Sequence, residues 1–402
     1  MACKSRIYEE MKLISRRNFL GIAAIGITYP LVNAFAVESL ARSNGRLILI
    51  FLRGGLDGLF AFSPVTDPEL SNFRPTLSKA VLSNGIALGE TGFSAHPSCK
   101  NLADLYSAGE LAFSACSGTT DRSRSHFQAQ DMFEIGTGSP YGRSGFLARA
   151  VDIVGKNRRA ISFTQEVPLV FRGGNKVPEI APLTGSGLKI PQGKLQDAIL
   201  SAHRGSRTGE ALEQAIATEA EIVIASGMDP LAKRNAPVAG AFNRAASTVG
   251  RMFRNDPRLS IAFMDLGGFD THANEDAVLS RSLGDLSAGI EMLKNELGEV
   301  EWQRTQVVVM SEFGRTVREN GTQGTDHGHG GLMLLCGGGI RGRRMIGDFD
   351  GLSVNKLNER RDLPVHVDWR SILSSSMRDA FGWNNQTLDK VFPGRPRMKV
   401  DI

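Results

Sequence analysis

Seven histidines occur in the chain, and several stand beside acids in glycine-rich surroundings. Asp326-His327-Gly328-His329 gathers two imidazoles and a carboxylate in one loop, Asp270 and His272 lie two apart, and Glu312 follows a short apolar run. Carboxylates and imidazoles without thiolates suit zinc, manganese, iron or a calcium-like ion, and they exclude an iron–sulfur site. One or two divalent cations held this way can clamp the attacking and leaving oxygens of a phosphoryl-type displacement. A loop has little structural use for so many imidazoles, so Asp326 and His327 read as metal ligands. Asp57, in Arg53-Gly54-Gly55-Leu56-Asp57-Gly58, is either a ligand or a turn-former, and Asp270 is either a ligand or a helix cap.

A second group is Asp121-Arg122-Ser123-Arg124-Ser125-His126-Phe127, at the start of an expected helix. A hydroxyl at a helix N-terminus sits in positive potential, which favours a developing alkoxide and the anion it attacks. Ser125 is therefore the candidate nucleophile, activated by a metal rather than a His-Asp relay; the competing reading is a plain helix cap. Arg124 and Arg315 are candidate contacts for an anionic substrate, or else a loop charge and an internal partner of Glu312. His126 is open between ligand, proton carrier and core residue. His96 and His203 read as structural or surface groups, with His329 and His366 as outside candidates for a last ligand. Gly337-Gly338-Gly339 lacks the Lys-Ser/Thr of a phosphate loop and reads as a turn.

These residues need a scaffold that brings distant segments together. Arg46 to Leu52 is a β-branched apolar run opening into a glycine loop, and similar runs recur at Leu111 to Cys116, Leu259 to Met264, Thr305 to Met310 and Leu332 to Cys336. Helical patterns lie between several of them, at Ser125 to Ile135, Asp276 to Leu297 and Asp368 to Phe381. Continuous apolar strands alternating with helices require a sheet covered on both faces, hence a doubly wound, mostly parallel α/β fold. Ligands of such sheets collect at the carboxyl ends of strands, where Asp57, Asp270, His272 and Glu312 fall. From Val151 to Asp256 the pattern changes to two strand-like pieces (Ala160 to Phe163, Leu169 to Phe171), a Gly/Pro-rich stretch and polar helices, which reads as a cap-like insertion.

The N-terminus carries a different message. Lys4, Arg6, Lys12, Arg16 and Arg17 precede an uncharged stretch from Phe19 to Ala36, and Ala34-Phe35-Ala36 is a small-x-small site. Twin arginines just ahead of a weakly apolar segment point to the Tat route, so residues 1–36 are expected to be a signal peptide cleaved after Ala36. Gly21, Gly26 and Pro30 interrupt that segment, which argues against a retained anchor. The expected mature chain of 37–402 works in the periplasm or outside the cell, with the Tat translocase as a partner during export. Of the formal charge of +5, the leader takes +3, and what remains gives no case for a nucleic-acid partner. The mature chain keeps Cys99, Cys116 and Cys336, too few and too scattered for a disulfide framework or a thiolate metal site.

Taken in order, Arg53-Gly54-Gly55-Leu56-Asp57-Gly58, Arg124-Ser125-His126-Phe127 with Ala129-Gln130, Gly267-Gly268-Phe269-Asp270-Thr271-His272, Ser311-Glu312-Phe313-Gly314-Arg315-Thr316 and Gly324-Thr325-Asp326-His327-Gly328 resemble the motifs of the Tat-exported domain-of-unknown-function family 1501. The resemblance implies an alkaline phosphatase and sulfatase-like fold. It further implies one metal site of Asp57, Asp326 and His327 with Ser125 as its nucleophile, and a second built on Asp270 and His272. Phosphatases space the second-site Asp and His four apart, so that site departs from their pattern, and no sulfatase-type sequence surrounds Ser125. The expectation is an exported metal-dependent hydrolase of a phosphate-type ester, small or polymeric, using zinc, manganese or calcium. The alternative is a non-catalytic periplasmic binding or assembly protein on the same scaffold, working with a partner exported from the same locus.

Overall fold

The computed structural model describes residues 45–402 except 156, 165, 177, 181–192, 227–239 and 399. Contacts divide the chain into Met1–Ser43 and Asn44–Ile402, and the sheet, its helices and the candidate site all belong to the second unit. The expected signal peptide and its cleavage site lie outside the described residues.

The apolar runs become the strands of a nine-stranded sheet. They are β1 (Arg46–Leu52), β2 (Leu111–Gly118), β3 (Arg159–Phe163), β4 (Glu179–Ile180), β5 (Leu259–Leu266), β6 (Thr305–Ser311), β7 (Gly331–Cys336), β8 (Arg344–Met345) and β9 (Val367–Asp368). Their order across the sheet is β8-β2-β7-β6-β1-β5-β3-β4, with β9 also paired to β2. β1 is flanked by parallel β5 and β6, with Leu47 opposite Ile261 and Gln306. β7 alone among the described strands of this sheet runs antiparallel, against β2 and β6. The expected doubly wound, mostly parallel α/β architecture is therefore present.

Successive residues of a strand point to opposite faces, and β1 shows why its sequence has no polar alternation. Ile48, Ile50 and Leu52 enter one core with Phe242, Val249, Leu286 and Ile290, whereas Leu47, Leu49 and Phe51 enter another with Leu147, Ile372, Leu373 and Met377. Helices from both sides seal these cores: Ala241–Asn255 and Glu275–Trp302 supply the first, Phe146–Val154 and Trp369–Phe381 the second. Phe51 stacks on Phe133 with centroids 4.3 Å apart, and burying such a ring stabilises the fold by about 1.5–3 kcal/mol. Cys99, Cys116 and Cys336 are free and buried, and burial pushes the thiols of Cys99 and Cys116 up to about 12.

Two expectations change in detail. Leu169–Phe171 is a single 3-10 turn rather than a strand, following Pro168. The stretch 151–256 contributes β3 and β4 to the central sheet and the helix Ala241–Asn255 to its face, so this much of it is core. Arg207–Ser226 is one of the expected polar helices, and Lys194–Ala202 is a further helix beyond those expected from the sequence. No described helix is long and apolar enough to cross a membrane.

Candidate metal centre

Four loops meet beyond the carboxyl ends of β1, β5 and β6. Gly54, just after β1, has φ +119° and lies so close to the next loop that a Cβ there would sit 2.4 Å from the Asp270 nitrogen. Only glycine permits that approach, which brings the Asp270 loop against β1. Arg315 then ties the loops together from below. Its guanidinium is fully buried and donates to the carbonyls of Gly55 (2.8 Å), Gly54 (2.9 Å), Phe269 (3.0 Å) and Thr325 (3.1 Å), and to Asp270 Oδ1 at 2.6 Å. Gly328 packs directly on the Arg315 backbone, where a Cβ would meet the carbonyl carbon at 2.4 Å.

Glu312, at the end of β6, anchors the other side. Its Oε1 accepts from the Gly54 amide (2.9 Å), Gln130 Nε2 (2.9 Å) and His126 Nδ1 (2.8 Å), and its Oε2 from Ser311 Oγ (2.7 Å). Burial pushes this carboxyl up, but the hydrogen bonds from His126, Gln130 and Ser311 outweigh it and bring it down to about 2. His126 opens the helix His126–Ile135, with Ser125 at its N-cap.

Three imidazoles converge on this point. His126 Nε2 lies 2.9 Å from His327 Nε2, and His272 Nε2 lies 3.0 Å from the same atom. Asp270 closes the group, with Oδ1 3.0 Å from His272 Nε2 and 3.3 Å from His327 Nε2, and Oδ2 3.5 Å from His126 Nε2. The opposite nitrogen of each ring faces an acceptor: Glu312 for His126, the Arg124 carbonyl at 2.9 Å for His327, and Asp326 Oδ1 at 3.2 Å for His272. In a neutral ring, an acceptor behind Nδ1 keeps the proton there, which leaves Nε2 as the nitrogen turned toward His327 or Asp270 and free to coordinate. A cation fits such a set of facing donor atoms, and histidine ligands held by carboxylates or carbonyls through the far nitrogen are the usual support of a metal site. The mutually close donors of His126, His327 and Asp270, with His272 Nε2 next to His327 and Asp270, fit a divalent transition metal.

Protonation follows the same geometry. The Glu312 hydrogen bond raises His126 above the usual imidazole range against the pull of burial, while burial lowers His327. Burial raises Asp270, but Arg315 and the neighbouring imidazoles outweigh it and leave the carboxyl below its ordinary value.

The expected residues divide. Asp270, His272 and His327 come together, and Asp326 joins through its contact to His272. Among the described residues, His126, Asp270 and His327 are the group of ligand atoms mutually within 4.8 Å. His126, left open by the sequence, belongs to this group, and Glu312 holds it. Asp57 lies elsewhere: its Oδ1 caps the helix Gly58–Ala61 through the amides of Leu59 (3.0 Å) and Phe60 (3.2 Å), and its Oδ2 is paired with buried Arg74. Arg74 also reaches the carbonyls of Val317 and Thr316, and Glu275 contributes a second buried carboxyl beside Asp57. Neither Arg74 nor Glu275 is marked by any local motif. Arg315 spends its donors on carbonyls and Asp270, and Arg124 spends its own on Glu359 (2.6 Å) and Asp362. Ser125 is half-buried and its hydroxyl makes no cap hydrogen bond. His366 pairs with Asp350 at 3.3 Å, outside the cluster.

Fold and site together define an α/β protein with a histidine-rich, metal-type cluster at the carboxyl edge of its sheet. Residues 113–397 match the family described as "Protein of unknown function (DUF1501)", and the chain belongs to that family. No curated protein matches the sequence. Among solved structures, the chain is similar to a protein in the alkaline phosphatase superfamily from Vibrio parahaemolyticus (12% identity, 75% of this chain and 62% of that one, TM-score 0.38). It is also similar to a lipoteichoic acid synthase from Listeria monocytogenes (10% identity, 87% and 74%, TM-score 0.41). A third is the alkaline phosphatase of the Antarctic bacterium TAB5 (10% identity, 87% and 99%, TM-score 0.35). The chain spans less than two thirds of the Vibrio protein's length.

Proposed function

We propose that this protein is an exported, metal-dependent hydrolase of a phosphate-type ester, related to the alkaline phosphatase superfamily and delivered by the Tat route. The observation that carries the reading is that His126 Nε2 and His272 Nε2 each meet His327 Nε2 beside Asp270. Those four residues are the ligand set, with Asp326, Glu312 and the Arg124 carbonyl fixing the rings. A divalent ion held there supplies a Lewis acid for the ester oxygen and for the nucleophile. A set of three imidazoles favours zinc or another transition ion over calcium, which prefers oxygen donors.

Ser125 is the proposed nucleophile. It precedes His126 at a helix N-terminus, and its hydroxyl is not spent on capping. Its oxygen would bond to phosphorus as the ester P–O bond breaks, and water would later release the phosphate. Arg315 is assigned a positioning role, because its donors are taken by the loops that carry the ligands. The part of 151–256 outside the sheet retains the proposed role of bordering the substrate. A cavity of about 620 Å³ is lined by Thr164, Val167, Leu169 and Phe242 from the stretch 151–256, together with Arg53 and Gly267 from the strand ends.

Asp57 engaged with Arg74 leaves one ligand cluster where two were expected, and this favours a second reading: a binding or assembly protein that keeps one ion and lacks turnover. Metal content of the purified protein and turnover of aryl phosphate esters separate the two. Metal with turnover that Ser125→Ala abolishes supports the hydrolase, metal without turnover supports the binding protein, and absence of metal removes both.

A further inference from the structure

The geometry points to a second anion-binding subsite next to the metal cluster, which recognises an additional phosphate or sulfate group on the substrate. It lies in a cavity of about 490 Å³ whose lining includes Arg318, Arg360, Arg361, Asn320 and Asp326. Asp326 belongs to both places, since its Oδ1 is 3.2 Å from His272 Nδ1 and it also forms part of the cavity wall. The cavity therefore begins one side chain away from the proposed metal ligand.

Three arginines, Arg318, Arg360 and Arg361, line it beside two carboxylates, Glu319 and Asp326. The Glu319 carboxylate keeps its charge but is turned to the amides of Thr76 (3.0 Å) and Leu77 (2.8 Å), which hold it. Asp326 is engaged by His272 and by Asn320 Nδ2 at 3.4 Å. Arg361 pairs with Asp362 at 3.3 Å. Arg318 lies over the Phe73 ring, 4.6 Å from its centroid, and neither Arg318 nor Arg360 has a carboxylate partner among the described residues. The backbone holds Arg360 in place at a cost: Glu359 and Arg360 both have left-handed φ, +52° and +59°. The Asn358–Asp362 bridge closes that turn, and Arg124 grips Glu359. Two unpaired guanidiniums presented from a fixed loop and an aromatic shelf match a tetrahedral oxyanion, because guanidinium donors pair with its oxygens two at a time.

Assigning this group to the substrate rests on the proposed ester hydrolysis; the anion site itself does not. The test uses full-length mature protein stripped of metal with a chelator, titrated calorimetrically at low ionic strength with inorganic phosphate and, separately, sulfate. Removing the metal removes its own anion binding, and loss of Arg318 and Arg360 isolates the contribution of the arginine cavity. Saturable binding of either anion is expected, and the Arg318→Ala/Arg360→Ala double variant should bind at least about tenfold more weakly, a loss of about 1.4 kcal/mol. Both arginines are exposed, so the variant keeps its fold, which circular dichroism verifies. No binding of either anion to the wild type, or equal binding by the double variant, overturns the subsite. A wild type that takes up no metal defeats the hydrolase reading while leaving this result untouched.

Discussion

His126 and His327 meet nitrogen to nitrogen at 2.9 Å, and each ring is turned that way by an acceptor behind it, Glu312 for one and the Arg124 carbonyl for the other. The two contacts behind the rings come from segments about 190 and 200 residues away in sequence, so the facing pair is a product of tertiary folding. The supports that orient the rings are as informative as the rings themselves.

Removing a ring should remove the metal. His327→Ala touches both other imidazoles and should lower bound metal most, with His126→Ala next, as read by elemental analysis after dialysis. Full metal occupancy in His327→Ala would sink the ligand assignment.

Support residues should matter almost as much. Glu312→Gln keeps the shape but weakens the grip on His126 Nδ1, and should reduce metal affinity by about 10–100-fold in a competition titration with a chromophoric chelator. An unchanged affinity would mean that Glu312 only fastens Gly54.

Ser125→Ala should leave metal content intact and lower kcat for an aryl phosphate by about a thousandfold or more. Loss of metal together with activity would instead place Ser125 among the structural residues.

Arg74 and Asp57 are an ion pair with both side chains about 1% exposed. Arg74→Met strands the Asp57 carboxylate in the core and should destabilise the fold by about 3–5 kcal/mol, measured by urea unfolding. Asp57→Asn combined with Arg74→Met should recover part of that loss.

Glu275 gives the pH dependence a defined sign. Burial, and then the neighbouring Asp57, hold its carboxyl well above the ordinary range. Its contribution to stability is fully present below the unfolded-state value and is lost as pH rises through the folded one. The Tm of the wild type should therefore fall on the alkaline side relative to Glu275→Gln, which cannot ionise. Parallel Tm curves from pH 5 to 9 would refute this.

Replacing Arg16 and Arg17 together by lysine should keep a reporter fusion in the cytoplasm, whereas a Sec-type leader would still export it. Fractionation of cells carrying the fusion decides between them.

Much of the fold was legible in one dimension. Buried strands must be apolar on both faces, so Arg46–Leu52, Leu259–Leu266 and Thr305–Ser311 announced themselves, and glycine-rich turns after them marked where a ligand edge would form. The direction of β7 and the sheet membership of β3 and β4 were not legible, because strand pairing depends on partners far along the chain. The site divided the same way. His327, His272 and Asp270 stood out because imidazoles and acids clustered in glycine loops have few structural uses. Asp57 looked alike on paper, yet its fate was settled by Arg74, seventeen residues on and unmarked by any motif. Sequence thus determined which residue types were available at the sheet edge; only the packed structure decided which of them share a point in space and which are consumed by a buried partner, since both depend on distances between segments that local composition does not encode.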